Sequence, residues 1–331
     1  MLRKRVPRPI VRGIQRILFP VPRHLARKQI QISTEKLKRV RDSIEANYYQ
    51  GFRDKSFYPP QMYERTLRNK LHVRLDSDRQ LIVPWLNNAK RLEGSNILEV
   101  GCGTGCSTVA LAEQGASVVG IDVDEYALAV ARDRLEVYGL QAEFHRMNAD
   151  EMTSRFPAGR FDFIIFFAAL EHMSIAERLA ALRDTWQLLP VGGMLVVVET
   201  PNRIWFYDGH TALLPFFHWL PDELAFQYAR FSPRENFRER FTDYSDPELR
   251  EQFVRAGRGM SFHEFDLAIQ PARSLDVVSS LSTFQGVRYK PQRSLFERRY
   301  KRVLRRIYPG IHEGFYDDTL YLIVRKDKLN P

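Results

Sequence analysis

Between residues 96 and 200 short apolar runs alternate with amphipathic stretches. The runs Asn96 to Val100, Ser117 to Ile121, Ala142 to Met147, Phe161 to Phe166 and Gly193 to Glu199 predict strands. Two of them, "FIIFF" and "MLVVVE", are apolar at nearly every position, which suits strands covered on both faces and hence a parallel sheet. Helical spacing predicts helices over Ser107 to Gln114, Glu125 to Tyr138 and Ile175 to Leu189. The last opens on a capping box, Ser174 with Glu177, and then sets Leu179, Leu182, Trp186 and Leu189 on one face. Strict alternation of strand and helix predicts a doubly wound α/β domain, a mostly parallel sheet with helices on both faces.

Beyond Glu199 the rhythm changes. Residues 200–245 carry twelve aromatics, about twice the chain's 12% average, with prolines and two histidines among them. A helix is expected near Asp246 to Ala256, a strand near Met260 to Asp266, and a closing strand at "TLYLIV", Thr319 to Val324. The fold expected is therefore a seven-stranded sheet bearing two inserts, the aromatic one at 200–245 and a basic helical one at 267–315. These decorate a domain spanning 51–331, preceded by a basic extension over 1–50.

The net charge of +10 changes the picture only once it is located. Residues 1–30 hold nine basic and no acidic side chains, and residues 291–308 carry +6, which leaves the rest of the chain at −5. Two basic patches on a mildly acidic body do not make a polyanion channel. In the first patch Ile10, Val11, Ile14, Ile17 and Leu18 recur at helical spacing against Arg12 and Arg16, a short basic helix able to lie on an anionic membrane. A solvated terminus or an organelle transit peptide is the alternative. No apolar run approaches the roughly 20 residues that span a bilayer. Cys102 and Cys106 are too few for a disulfide framework and stand at no zinc spacing, so no metal site is expected and a cytoplasmic setting, at most against the inner face of the membrane, is the simplest reading.

Chemistry concentrates in "ILEVGCGTGCS", residues 97–107. A ligand at the carboxyl end of a first strand needs close approach of the backbone, and Gly101, Gly103 and Gly105 permit it. A dinucleotide fingerprint would place glycine at the sixth position, where this chain has Cys106. At the end of the second strand Asp122 stands about 20 residues on, where a carboxylate accepts hydrogen bonds from both hydroxyls of a ribose. After the third strand "MNADEM" offers Asn148 and Asp150 for an adenine amino group.

Taken together, "ILEVGCGTG", "VVGIDVD", "NADEM", "RFDFIIFFAALEHM" and "LLPVGGMLVVVETPN" resemble the class I S-adenosylmethionine-dependent methyltransferases over about residues 95–202. The resemblance implies a Rossmann-like fold and S-adenosyl-L-methionine as methyl donor. It implies that Glu99, Gly101, Cys102, Gly103 and Gly105 hold the methionine part and Asp122, with Val123, the ribose. Asn148, Ala149 or Asp150 would take the adenine, and the backbone near Phe166 and Phe167 the methionine amino group. The stretch between Asp150 and Phe161 departs from the family by lacking its usual Leu-Pro-Phe.

A hydroxyl acceptor needs a general base near the carboxyl ends of the strands. His172, just past the fourth strand, meets that condition, with a packing or capping role as its alternative. In the aromatic insert Tyr207-Asp208-Gly209-His210 supplies a second candidate, with Asp208 placed to orient the His210 imidazole. Trp205, Phe206, Tyr207, Phe216, Phe217 and Trp219 would wall the site or build a satellite core. "TPNR" and "WLP" resemble a subgroup of bacterial methyltransferases acting on glycans or lipid-linked intermediates, whereas "LEHM" resembles the quinone-biosynthesis type. The acceptor expected is thus a small molecule, a glycan or a lipid-linked compound, with peripheral contact to anionic membrane. Nucleic acid is disfavoured, since no Asn-Pro-Pro-Tyr motif for flipped bases and no RNA module is present, although the basic helix keeps an RNA methyltransferase as an alternative. A catalytically silent donor-binding protein and an NAD-dependent oxidoreductase are the readings from other classes.

Overall fold

The computed structural model describes residues 28–49, 60–286 and 294–327. The amphipathic pattern at residues 10–18 lies outside them. Seven strands form one sheet in the order β3-β2-β1-β4-β5-β7-β6. They are β1 (Asn96–Val100), β2 (Ser117–Asp122), β3 (Glu143–Arg146), β4 (Phe163–Phe167), β5 (Met194–Pro201), β6 (Asp276–Ser280) and β7 (Thr319–Arg325). All pairings from β3 through β5 are parallel, and β7 runs antiparallel between β5 and β6. The chain order reverses between β1 and β4, so a crevice opens at the carboxyl ends of those two strands.

Local chemistry explains the element ends. The helix Glu125–Tyr138 starts where the Asp124 side chain accepts from the N–H groups of Tyr126 and Ala127, and it stops at Gly139, whose φ is 67°. The helix Ile175–Leu188 carries the capping box expected of Ser174 and Glu177. Each sheet face then buries its own core. On one face Leu111, Val130 and Leu135 meet an N-terminal helical layer through Val40, Leu75 and Trp85. This layer contains Thr34–Ser43 and a run from Pro60–Arg68 to Val83–Ala89, wound as π-helix over Asn69–Val73 and Asp78–Ile82. On the other face Leu182 and Trp186 pack with Phe265 and Phe315.

One buried side chain locks the N-terminal layer to the glycine loop. Arg134 is fully buried and donates to the carbonyls of Thr104 (2.7 Å), Lys70 (2.8 Å) and Leu71 (3.2 Å).

The predicted strand over Met260 to Asp266 is instead the helix Phe262–Ala268, with only Met260 bridging to Asn202. Ser261 and Glu264 form a capping box, and Phe262 and Phe265, three apart, both turn to the core. The sixth strand is "DVVSS", a short, half-buried segment next to β7 with no apolar run to announce it. Of the six aromatics read as wall or satellite core, Phe217 joins a separate small core with Phe226, Phe237, Phe241 and Phe253, whereas Trp205 and Tyr207 line the cavity described below. Among the described residues no helix is long and apolar enough to cross a membrane.

Candidate active site

A cavity of about 1160 Å³ opens at the carboxyl ends of β1, β2, β4 and β5. That exceeds the roughly 300–1,000 Å³ of a single-ligand pocket, so it has room for two molecules. Its floor is the glycine loop. Gly101, Gly103 and Gly105 have φ of 78°, 51° and 77°, a region costly to residues bearing a Cβ. A Cβ on Gly101 would lie 2.7 Å from the Cβ of Ala169, whereas one on Gly103 would meet nothing within 4 Å and would project into open space. Gly103 therefore keeps the backbone bare toward the cavity, whereas Gly105 does not line it: a Cβ there would lie 3.1 Å from the Cβ of Ala131, so this glycine serves close packing of the loop on the helix Glu125–Tyr138.

Asp122 ends β2 beneath this loop. Its Oδ2 accepts from Gly103 N–H (2.8 Å) and its Oδ1 from Asp124 N–H (2.9 Å), which fixes the carboxylate with lone pairs left over toward the cavity. Burial pushes its pKa up, against the pull of those two N–H groups. Val123, Asn148, Ala149 and Asp150 also line the cavity. Asn148 opens the following 3₁₀ turn, its backbone N–H donating to Glu151 Oε2 (3.1 Å), and the side chains of both Asn148 and Asp150 are exposed. Cys102 lines the wall, and burial pushes its thiol well up, which leaves it a neutral filler rather than a nucleophile.

Glu99 lies fully buried below the loop, away from the cavity wall. Ser107 Oγ and Thr108 Oγ1 donate to its two oxygens, the latter at 2.6 Å, and burial raises its pKa to about 7. Its geometry is that of a pin between β1 and the helix Cys106–Ala112. Phe166 points into the core on the side of Leu182, whereas Phe167 lines the cavity. The next residue, Ala168, has φ of 46°, and Glu199 at the end of the neighbouring strand has φ of 62°. Two non-glycine residues held in this region at one crevice mark stored strain at a functional edge.

His172 and His210 both reach the cavity, with ring centroids 6.4 Å apart. His172 Nδ1 donates to the carbonyl of Arg255 (2.8 Å), an acceptor only, so its Nε2 carries the lone pair when the ring is neutral. Glu171 beside it is fully buried; its Oε2 accepts from Thr200 (3.2 Å) and its Oε1 lies 4.0 Å from His172 Nε2. Thr211 donates its hydroxyl proton to Gly257 O, so His210 Nδ1 must donate to Thr211 Oγ1 (3.1 Å), again leaving Nε2 as the acceptor. Desolvation within the cavity, with His172 nearby, lowers His210 to about 4. That imidazole is neutral at physiological pH.

Asp208 does not orient the His210 ring. Its carboxylate turns inward, collecting the N–H groups of His210 (2.8 Å), Thr211 (2.7 Å) and Ala212, and faces His218 Nε2 at 3.2 Å. His218 Nδ1 accepts from Gly259 N–H, so the ring proton sits on Nε2, toward Asp208. Two residues of separation put the His210 backbone, not its ring, within reach of the carboxylate. Burial raises the Asp208 pKa, but His218 and the loop N–H groups outweigh it and leave a value of about 2. Because this lies below the unfolded value of about 3.9, the stabilisation is complete above pH 4 and is lost as pH falls through 2. Asp208→Asn is accordingly expected to lower unfolding free energy by about 2 kcal/mol at neutral pH and nearly nothing at pH 2, measured by urea denaturation.

The N-terminal layer adds a wall with no sequence signature. Arg74 lines the cavity and pairs with Glu199 at 2.9 Å. Burial opposes its charge, but Glu199 and Asp78 together hold its pKa above the ordinary value. Asp78 below it is fully enclosed, and burial pushes its carboxyl up to about 8. Among the described residues no group of three or more His, Cys, Asp or Glu side chains is placed to hold a metal ion.

Comparison with known proteins follows the same outline. Residues 97–193 match the model of a methyltransferase domain family. The ubiquinone biosynthesis O-methyltransferase of Pseudomonas paraeruginosa is 36% identical over 123 residues, 37% of this chain and 51% of that protein. Its counterpart from Aromatoleum aromaticum is 34% identical over the same shares. The chain thus spans about half the length of the curated relatives it matches. A solved S-adenosylmethionine-dependent methyltransferase from Methanosarcina mazei covers 73% of this chain and 97% of its own, at 20% identity and a TM-score of 0.43. With the glycine loop, Asp122 at the end of β2 and the strand order above, residues 97–193 are a methyltransferase domain of the class I S-adenosylmethionine-dependent family.

Proposed function

We propose that the chain is an S-adenosylmethionine-dependent O-methyltransferase acting on a hydroxyl-bearing acceptor, a small molecule, a glycan or a lipid-linked intermediate. One observation carries the reading: two imidazoles face the cavity beside the glycine loop, each spending Nδ1 inside the protein and leaving Nε2 to accept a proton. S-adenosylmethionine supplies a methyl group already activated by its sulfonium. The chain's own work is to align the partners and remove the acceptor's proton. Asp122 would accept both ribose hydroxyls through the lone pairs that Gly103 and Asp124 leave open. Arg74 would face the amino-acid carboxylate, and the bare backbone at Gly103 would let the donor lie against the loop. His172 Nε2 would take the hydroxyl proton, with the Glu171 carboxyl 4.0 Å away to steady the imidazolium.

A quinone-type phenol is the second reading, favoured by the 36% identity to ubiquinone biosynthesis O-methyltransferases and by the Leu170-Glu171-His172-Met173 turn. Incubation with methyl-labelled donor and fractionated extract, then with a set of catechols, separates the two. Label in polar glycan or lipid-linked fractions supports the first, label in prenylated phenols the second. Label in neither, with intact donor binding by calorimetry, would leave a silent donor-binding protein.

A further inference from the structure

The helix Leu295–Ile307 lies beside the cavity mouth, where Glu297 joins the lining. Its inner side is anchored: Tyr300 donates to Ile204 O (2.7 Å), Lys301 pairs with Asp317 (2.5 Å) and Leu304 packs on the core. Its outer side has an unusual make-up for a surface in water. At helical spacing Phe296, Val303 and Ile307 form one flank and Arg298, Arg302 and Arg305 the other, with Leu295, Arg299 and Arg306 along the crest. Leu295, Phe296 and Ile307 are 76%, 62% and 73% exposed, and all five arginines are exposed.

The apolar flank continues into the aromatic insert. Phe296 meets Phe206 edge-on (centroids 5.0 Å), Phe206 adjoins Trp205, and Trp205 O accepts from the indole N–H of Trp219 (3.1 Å). Trp219 in turn packs on Phe216 at 4.8 Å, and both are nearly half exposed. Trp205 lies buried in this chain of rings and itself lines the cavity. Two exposed apolar patches, Leu295, Phe296, Val303 and Ile307 beside the arginines of the helix and Phe216 with Trp219 on the insert, are thus joined at the entrance through half-buried Phe206 and buried Trp205.

We propose that this face docks on an anionic lipid bilayer and that an amphiphilic acceptor enters the cavity from that surface. The arginines complement anionic headgroups, and their stems let the charge reach headgroup level while the apolar ridge sinks below it. Nucleic acid fits less well. Phosphates would satisfy the arginines, and bases would stack on the aromatics, but nothing in a polynucleotide would cover Leu295, Val303 and Ile307. The delivery of acceptor rests on the methyltransferase reading; the docking does not.

The test uses the full chain with phosphatidylcholine vesicles, with and without phosphatidylglycerol, and no donor. Cosedimentation should require phosphatidylglycerol and weaken with salt. The double variant Phe296→Glu/Ile307→Glu should bind about tenfold more weakly or worse, although its basic N-terminal segment is unchanged. Brominated lipid should quench the tryptophan fluorescence of the parent, and Trp219→Phe should remove most of that quenching. Equal vesicle affinity for the parent and the double variant would overturn the proposal, as would binding of an RNA oligomer without binding of vesicles. Donor affinity by calorimetry checks that the variants are folded. Should the parent bind vesicles yet show no heat with donor, docking stands and the methyltransferase reading falls.

Discussion

His172→Ala is expected to lower kcat by about 10² to 10⁴ while leaving donor affinity unchanged. The size follows from the role. A neutral hydroxyl is a poor nucleophile, so the group that takes its proton contributes to the reacting step and not to holding the donor. His172 suits this because the Arg255 carbonyl fixes its tautomer, and the buried Glu171 carboxyl lies on the side of Nε2. Single-turnover methyl transfer with calorimetry on the same preparation measures both quantities, and added imidazole should restore part of the lost rate. If His172→Ala turns over normally and His210→Ala does not, the base is the second imidazole. If both turn over normally, neither of these imidazoles is the required base.

Asp122→Ala is expected to weaken donor binding about 100-fold or more, the loss of two charge-assisted hydrogen bonds at about 1.5 kcal/mol or more each. Part of that loss is indirect, because the same carboxylate holds Gly103 N–H and so the curvature of the loop. Asp122→Asn separates the contributions. An amide can still accept from Gly103 N–H, but its NH2 then faces Asp124 N–H and offers a donor where one ribose hydroxyl would donate, so it should keep the loop's curvature at some cost in stability and lose most of the affinity. Donor affinity unchanged in Asp122→Ala would remove the ribose anchor from this residue.

The parts of the molecule legible in sequence are those whose physics is local. β1 and the helix Glu125–Tyr138 end where read, because a capping Asp and a left-handed Gly bound the helix and an apolar run defines the strand. Gly101, Gly103 and Asp122 line the cavity as their spacing predicts, since both the backbone freedom and the carboxylate are written into one short segment. What escaped notice depends on distant packing. Arg74 is one of 50 basic residues, and only folding of the N-terminal layer over the loop brings it to the cavity. The Asp208–His218 pair spans ten residues across a turn that no periodicity encodes, whereas sequence distance alone favours His210 as the partner. The helix Phe262–Ala268 does carry a local signal, since Ser261 with Glu264 is a capping box, but the apolar density of the stretch is equally that of a strand.

Arg134 bears on where the working unit begins. Its guanidinium is dehydrated and meets three carbonyls, two of them belonging to Lys70 and Leu71. A fragment trimmed to residues 97–193, the part that matches the methyltransferase-domain model, would strip those two carbonyls away and leave two of the guanidinium's buried N–H groups without partners. The stretch recognisable by similarity thus lacks part of what holds its own loop in place, and a piece with those bounds is expected to unfold at lower temperature than the full chain.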